Sequence, residues 1–154
     1  MRLVICAVGR LRAGPERALT EEYLGRFAKT GRGLGLAGAD VAEVDAKGAG
    51  QAAEHELLAR ACPAGAARVV LDERGRQITS PDLADRLARW RDEARDVAFV
   101  IGGADGVTEE MRGGADLLLS FGPMVWPHAL ARVMLAEQLY RAATILAGTP
   151  YHRV

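Results

Sequence analysis

The residues that could carry out chemistry are concentrated in the last 35 residues of the sequence. Two of the three histidines, His128 and His152, lie there with three arginines, Arg132, Arg141 and Arg153. A histidine can accept or release a proton near neutral pH. A guanidinium can hold a phosphate or another oxyanion through two parallel hydrogen bonds. This combination favours proton transfer beside an anionic substrate.

His128 and Arg132 are four residues apart in a predicted helix that starts at Pro127, so both project from one helical face. At the helix start His128 could contact a phosphate or a base edge, or it could be a capping or packing residue. Arg132 could clamp a phosphate. Glu137 and Arg141 have the same spacing, which predicts a structural ion pair, with RNA contact by Arg141 as the alternative.

The residues after this helix bring three chemically different side chains together. Tyr151, His152 and Arg153 supply an aromatic ring, an imidazole and a guanidinium in sequence. Aromatic and arginine side chains together suit unstacked RNA bases. The alternative is a docked tail in which Tyr151 packs against the rest of the protein.

Apolar runs and helical spacing predict the scaffold that positions these residues. Strands are predicted at residues 3–8, 40–44, 68–71, 97–101 and 117–119, with a turn at Arg74-Gly75. Residues 40–44 alternate between polar and apolar types, which predicts a half-buried or edge strand. Helices are predicted at 16–29, 49–61 and 127–147, and two more are predicted to begin near the N-cap residues Thr79 or Ser80 and Thr108. Apolar strands alternating with helices indicate an α/β fold, an open and mostly parallel sheet with helices on both faces. The length predicts one domain, 1–154.

In such sheets ligands bind outside the carboxyl ends of the strands. Three predicted strand ends are candidates: Leu71-Asp72, Ile101-Gly102-Gly103 and Leu119-Ser120-Phe121-Gly122. The paired glycines would let the backbone approach a ligand closely, or would serve only a turn. Asp72-Glu73 could offer a general base or hold a ribose, or could be a solvated strand end. The absence of a GxGxxG pattern disfavours a dinucleotide-dependent oxidoreductase.

Composition narrows the class further. The sequence has 20 basic and 20 acidic residues and no net charge, although both ends are basic and the middle is acidic. This distribution permits a local nucleic-acid surface. No apolar run has the length of a membrane span. Cys6 and Cys62 lack metal-ligand spacing, so no metal site is expected, and reduced thiols suggest the cytoplasm.

At this point the sequence resembles a known family. The motifs are Leu71-Asp72, Ile101-Gly102-Gly103, Pro127-His128-x-Leu130-x-Arg132-Val133, Glu137-Gln138-Leu139-Tyr140-Arg141-Ala142 and Pro150-Tyr151-His152-Arg153. They resemble the ribosomal RNA large subunit methyltransferase H family, SPOUT-class enzymes that methylate ring nitrogen 3 of a pseudouridine in 23S rRNA. The resemblance implies an α/β fold with a C-terminal trefoil knot, a homodimer, and action on the assembled ribosome.

The resemblance also implies S-adenosylmethionine as methyl donor, bound by the protein backbone. The implied cofactor contacts are Leu71, Gly103, Phe121, Gly122, Pro123, Met124, Val125 and Trp126. This Phe121–Trp126 loop departs from the small or Ser-rich versions typical of the family, and Pro123 lacks an N–H donor. The implied substrate contacts are Arg141 and Tyr151.

Methylation of a ring nitrogen requires loss of its proton, so a group must accept the proton or stabilise the anion. His128, Arg132, His152 and Arg153 are the catalytic candidates, and the sequence does not choose among them. The alternative function is an RNA- or ribosome-binding α/β module without catalysis.

Overall fold

The structure, a computed structural model, describes residues 1–153 and contains one five-stranded sheet in the order β2-β1-β4-β3-β5. All paired strands are parallel. The strands are β1 (Leu3–Val8), β2 (Ala39–Val44), β3 (Ala67–Arg76), β4 (Val97–Ile101) and β5 (Leu117–Leu119). The predicted parallel α/β sheet is confirmed.

Helices cover both faces of the sheet, which explains why the central strands are apolar throughout. They are α1 (Pro15–Gly31), α2 (Gln51–Ala61), α3 (Ser80–Asp92), α4 (Glu109–Gly113) and α5 (His128–Ala147), with a 3-10 turn at Arg32–Leu34. Side chains alternate across β1 because successive residues of a strand point to opposite faces. Leu3, Ile5 and Ala7 join the core with α1, α3 and α5. Val4 and Cys6 join the core with α2 and α4.

Local signals set the helix starts. The Thr79 hydroxyl accepts from the Asp82 N–H at 3.2 Å, and the Asp82 carboxylate accepts from the Thr79 N–H at 3.0 Å. This reciprocal pair is a capping box, and it fixes the start of α3. Thr108 likewise accepts from the Met111 N–H at 3.1 Å and begins α4. Both predicted caps are confirmed.

β2 forms an edge of the sheet, as its alternating pattern predicts. Asp40, Val41 and Glu43 are exposed, whereas the other positions are half-buried. Charged side chains on an edge strand discourage pairing with a strand of another molecule.

β3 is longer than its sequence pattern predicts. Instead of ending at Leu71 before a turn at Arg74-Gly75, the strand continues to Arg76, with a shift in pairing between Leu71 and Arg76. The Ser120 N–H donates to the Arg76 carbonyl at 2.9 Å. Gly75 permits this return, because a Cβ there would lie 2.5 Å from the carbonyl oxygen of Leu118. The glycine therefore serves close packing between strands.

The two cysteines are brought together by the fold. Cys6 on β1 and Cys62 after α2 are free and buried, and their sulfur atoms lie 3.9 Å apart. Within the described residues, no helix is long and apolar enough to cross a membrane. The trefoil knot implied by the resemblance stays a prediction.

Candidate active site

A cleft of about 750 Å3 opens at the carboxyl ends of β3, β4 and β5. This is where a ligand is expected in an open parallel sheet, and the volume suits a small-molecule site. The cleft is lined by seven of the eight predicted cofactor residues: Leu71, Gly103, Phe121, Gly122, Met124, Val125 and Trp126. Pro123 is exposed and does not line it. The three strand ends singled out from the sequence thus meet at one site.

A single hydroxyl ties two walls of this cleft together. Ser120 is 5% exposed and directly follows β5. Its Oγ lies 3.1 Å from the carbonyl oxygen of Glu73 and 3.0 Å from that of Gly122, and it accepts from the Gly122 N–H at 3.0 Å. The C-terminal part of β3 and the residues after β5 are therefore held to each other before any ligand arrives. Ser120 belongs to the strand end Leu119-Ser120-Phe121-Gly122 predicted from the sequence, but no role was predicted for its side chain.

The glycines of the cleft have different reasons to be glycine. Gly122 has φ +115°, and a Cβ there would meet nothing within 4 Å, so its requirement is conformational and its backbone is open to a ligand. At Gly103, by contrast, a Cβ would lie 2.7 Å from an Oε2 atom of Glu54. A side chain at this position would displace the Glu54 carboxylate of α2, so the glycine gives the α2 side chain room beside the cleft.

Apolar side chains stand in solvent along the loop that follows β5. Met124 is 72% exposed, Val125 80% and Trp126 43%. Adjacent exposed apolar residues beside a cleft are typical of a surface that binds a ligand or a second protein. An aromatic or thioether side chain can cover the face of a flat ring.

The Asp72 carboxylate lies in the cleft wall and is largely buried. Its Oδ1 accepts from the Arg74 N–H at 2.8 Å, and its Oδ2 lies 3.4 Å from Nη1 of Arg112. The same Arg112 nitrogen donates to the Val107 carbonyl at 2.7 Å. The interpretation of Asp72 as a solvated strand end is wrong, because long-range contacts enclose it, whereas Glu73 is exposed.

His128 is the one catalytic candidate that lines the cleft of its own chain. It begins α5, directly after Pro127. Its Nε2 would lie 3.8 Å from a Cβ on Gly9, a residue with φ +91° that follows β1. The ring therefore stands between the cleft and the loop that joins β1 to α1.

Arg132 is one helical turn further on, but its guanidinium is engaged by the protein. The residue is 1% exposed. Nη1 lies 2.7 Å from Oε2 of Glu43, and Nη2 donates to the Gly9 carbonyl at 3.0 Å. It does not line the cleft. The guanidinium is therefore held by protein groups in this structure, and the phosphate clamp and catalytic role suggested for Arg132 stay predictions.

The ion pair of Arg132 affects its partner. Burial of the Glu43 carboxyl opposes ionisation, but hydrogen bonds from Leu11 N–H and Arg132, together with the charges of Arg132 and Arg10, outweigh it. The pKa of Glu43 is therefore held below its ordinary value.

The tail residues form a separate cluster on the C-terminal half of α5. Glu137 receives the Arg141 guanidinium at 2.6 Å and the Tyr151 hydroxyl at 2.9 Å, both on Oε1. The ring centroids of Tyr140 and Tyr151 are 4.6 Å apart. The predicted ion pair and the docked-tail alternative are both confirmed. Burial and the hydrogen bond to the Glu137 carboxylate raise the pKa of Tyr151 to about 12.

His152 joins this cluster through one ring nitrogen. The Arg141 guanidinium donates to Nδ1 of His152 at 3.2 Å. A neutral ring that accepts at Nδ1 carries its proton on Nε2. This Nε2 is buried and has no partner among residues 1–153. Arg153 is exposed.

The cleft and the tail cluster lie at different places along α5. Glu137 and Arg141 follow His128 by 9 and 13 residues, which corresponds to about 14–20 Å along the helix axis. Of the residues the structure describes, none beyond Ala131 lines the cleft. No group of three or more His, Cys, Asp or Glu side chains within residues 1–153 could hold a metal ion.

Known proteins share this sequence and fold. The family model described as "Predicted SPOUT methyltransferase" matches residues 1–152. A Cereibacter sphaeroides protein named ribosomal RNA large subunit methyltransferase H is 66% identical, with both chains fully covered. A Paracoccus denitrificans protein of the same name is also 66% identical over 99% of each chain. This chain belongs to the ribosomal RNA large subunit methyltransferase H family. The resemblance found from the motifs is confirmed.

Comparison with solved structures supports the fold of this SPOUT methyltransferase. A probable methylase family protein from Haemophilus influenzae Rd KW20 aligns with a TM-score of 0.52 at 13% identity. The alignment covers 99% of this chain and 70% of that chain. Since SPOUT methyltransferases use S-adenosylmethionine as methyl donor, the cleft at the strand ends is the candidate cofactor site.

Proposed function

We propose that this protein transfers a methyl group from S-adenosylmethionine to ring nitrogen 3 of a pseudouridine in 23S rRNA. The observation that carries the proposal is the convergence of seven of the eight predicted cofactor residues on one cleft at the ends of β3, β4 and β5. The 66% identity, over the full length, to proteins named as large-subunit rRNA methyltransferases supports rRNA as the substrate.

The residues of the cleft fit the proposed cofactor. The volume suits a nucleoside-sized ligand, Gly122 presents open backbone, and the exposed apolar side chains of Met124, Val125 and Trp126 could cover a purine. Residues Phe121 to Trp126, with Leu71 and Gly103, would hold it. Pro123 offers no N–H, so other backbone groups of the loop would supply the donors.

When bound, S-adenosylmethionine supplies a methyl group on a positively charged sulfur, which calls for alignment more than activation. The residues of this chain would therefore orient the acceptor base, exclude water and take up the proton of the ring nitrogen. His128 is placed to accept that proton, because it lines the cleft at the start of a rigid helix.

The tail is proposed to serve the cleft of a second copy. Arg141 and the docked tail residues Tyr151, His152 and Arg153 lie about 14–20 Å along α5 from their own cleft. A homodimer that sets two α5 helices side by side in opposite directions would bring each tail to the other cleft. In such a dimer Arg153 would stabilise the deprotonated base and the buried Nε2–H of His152 would gain an acceptor.

The assembled ribosome is the proposed substrate form. A protein with no net charge has a weak general attraction to bare RNA, so a preformed ribosomal surface would supply the additional contacts. This substrate would place the protein in the cytoplasm, where free Cys6 and Cys62 stay reduced. Each chain is proposed to act as one domain, 1–154, of which Val154 lies outside the described residues.

The test is incorporation of labelled methyl groups from S-adenosylmethionine, with intact ribosomes, isolated large subunits and naked rRNA in parallel. We expect incorporation into ribosomes above naked rRNA, at a pseudouridine located by mass spectrometry. Absence of incorporation into all three overturns the proposed activity. Calorimetric titration with S-adenosylmethionine then distinguishes the alternative, because a ribosome-binding module without catalysis would bind ribosomes but not the cofactor.

A further inference from the structure

A second groove, of about 430 Å3, lies next to the cofactor cleft on the other side of the start of α5. His128 lines the cleft, and Arg132, one helical turn later, lines the groove. The remaining lining comes from the β1–α1 loop, α1 and β2: Arg10, Leu11, Arg17, Thr20, Glu21, Val41 and Glu43. The methyl-transfer chemistry proposed above uses none of these residues.

An ion-pair clamp between buried Arg132 and partly exposed Glu43 fixes the loop at the edge of this groove. Arg132 donates to the Gly9 carbonyl at 3.0 Å, and the Leu11 N–H donates to Glu43 at 2.7 Å. Arg132 and Glu43 are themselves paired at 2.7 Å. The two bonds to the loop hold the residues immediately before and after Arg10. The backbone of Arg10 is thereby fixed next to His128 while its side chain lines the groove.

The charges of the groove do not cancel. Arg17 is paired with Glu21 at 3.0 Å, and Arg132 is paired with Glu43. Among residues 1–153, no ion pair or hydrogen bond engages the Arg10 guanidinium, and three arginines against two glutamates leave the groove lining with one net positive charge. An uncompensated guanidinium at the groove suits an anion with several oxygen acceptors.

We propose that this groove binds a backbone phosphate of the RNA substrate, with Arg10 as the contacting residue and Glu43 and Arg132 as positioning residues. The inference rests on the proposed function, because a base placed in the cleft carries its neighbouring phosphates to the adjoining surface. Phosphate contacts fix the register of a nucleic acid on a protein. Leu11 and Val41 give the groove an apolar part against which a ribose could pack.

The first experiment compares Arg10→Ala with Arg60→Ala. Arg60 is exposed on α2, on the opposite face of the sheet, so its replacement removes the same charge away from the groove. With ribosomes as substrate, Arg10→Ala should raise KM about fivefold to tenfold and leave kcat and the affinity for S-adenosylmethionine near the wild-type values. The slope of log binding constant against log salt concentration should fall by about the amount that one phosphate contact contributes. Arg10→Lys should recover part of the loss, whereas Arg60→Ala should match the wild type.

The second experiment tests the clamp through the sign of its effect. Glu43→Gln removes a negative charge, so electrostatics alone would tighten RNA binding and lower KM. If Glu43 acts by positioning Arg10, KM rises instead, with unchanged cofactor affinity. A fall in KM overturns the positioning role.

The inference fails separately from the proposed function. Binding of ribosomal large subunits is measured by co-sedimentation for the wild type and for Arg10→Ala, independently of methyl transfer. Equal binding and equal salt dependence for the two overturn the phosphate groove even if the wild type methylates normally. Weaker dimerisation of Arg10→Ala, seen by analytical ultracentrifugation, would assign the groove to contact between copies and would also overturn it. Absence of methyl transfer by the wild type counts against the proposed function alone.

Discussion

The Ser120 hydroxyl lies 3.1 Å from the carbonyl oxygen of Glu73, and this contact joins the segment after β5 to the C-terminal segment of β3. Both segments line the cofactor cleft. The Ser120 hydroxyl oxygen also accepts a hydrogen bond from the Gly122 N–H. One buried side chain therefore holds the cleft in shape, and its removal should affect ligand binding more than the fold.

Ser120→Ala should weaken binding of S-adenosylmethionine about threefold to tenfold and lower the free energy of unfolding by about 1–2 kcal/mol, because a buried carbonyl and N–H lose their partner. Calorimetric titration and chemical denaturation measure the two effects. Ser80→Ala is the matched control, since its hydroxyl donates to Gln138 at 2.6 Å away from the cleft. Equal cofactor affinity for the two variants would contradict the role of Ser120.

Gly75→Ala should lower the free energy of unfolding by about 2–4 kcal/mol, because its Cβ would be forced against the Leu118 backbone between β3 and β5. Gly25→Ala, in the middle of α1 with nothing within 4 Å, should instead stabilise by about 0.5–1 kcal/mol. Denaturant unfolding of both variants gives the comparison. Similar stability for the two would show that β3 and β5 do not require close approach at Gly75.

His128→Ala should reduce kcat about a hundredfold or more while changing the affinity for S-adenosylmethionine little, because the imidazole is proposed to take the substrate proton. Single-turnover methyl transfer and calorimetry separate the two quantities. Retention of kcat with weakened cofactor binding would make His128 a binding residue only.

Tyr151→Ala should also reduce methyl transfer with near-normal cofactor affinity, because it releases the tail from Glu137. Mixing it with His128→Ala tests whether sites are shared between chains. Random exchange makes half of the dimers mixed, and each mixed dimer has one intact site of two, so about a quarter of wild-type activity should return. If the mixture stays inactive, the tail does not serve a neighbouring cleft.

Tyr151 should titrate with a pKa of about 12 in the folded protein, above the ordinary value, so its hydroxyl stays protonated and bonded to Glu137 at neutral pH. Because the pKa is higher in the folded state, the stability that the protonated Tyr151 hydroxyl contributes is complete below pH about 10 and declines as pH rises through about 12. In ultraviolet titrations, the wild type should show one tyrosine that ionises at unusually high pH, and this step should be missing from Tyr151→Phe. An unchanged alkaline titration would contradict the assignment.

Local features of the fold and site were predictable from the sequence. The caps at Thr79 and Thr108 and the ion pair Glu137–Arg141 join residues within one helical turn, so their spacing is sufficient. The apolar strands likewise showed which strand ends would carry the cleft. The roles of individual cofactor and catalytic residues stay predictions.

Features that depend on distant partners were not predictable. The acceptors of Arg132 lie 89 and 123 residues earlier in the chain, so helical spacing could suggest only an exposed clamp. Asp72 is similarly enclosed by Arg112, 40 residues away. The sequence around Gly75 predicts a turn, but the need for glycine there comes from close packing against the backbone of β5.

The packing of α5 has a consequence for how the chain acquires its structure. α5 contributes Leu135 and Leu139 to the larger core and packs against α1, which contributes Phe27. Contacts between segments so distant in sequence form late and slow the folding rate. The apolar face of α1 therefore remains uncovered until the final helix docks. During synthesis the incomplete chain exposes a surface that favours aggregation, and its survival depends on how quickly α5 arrives.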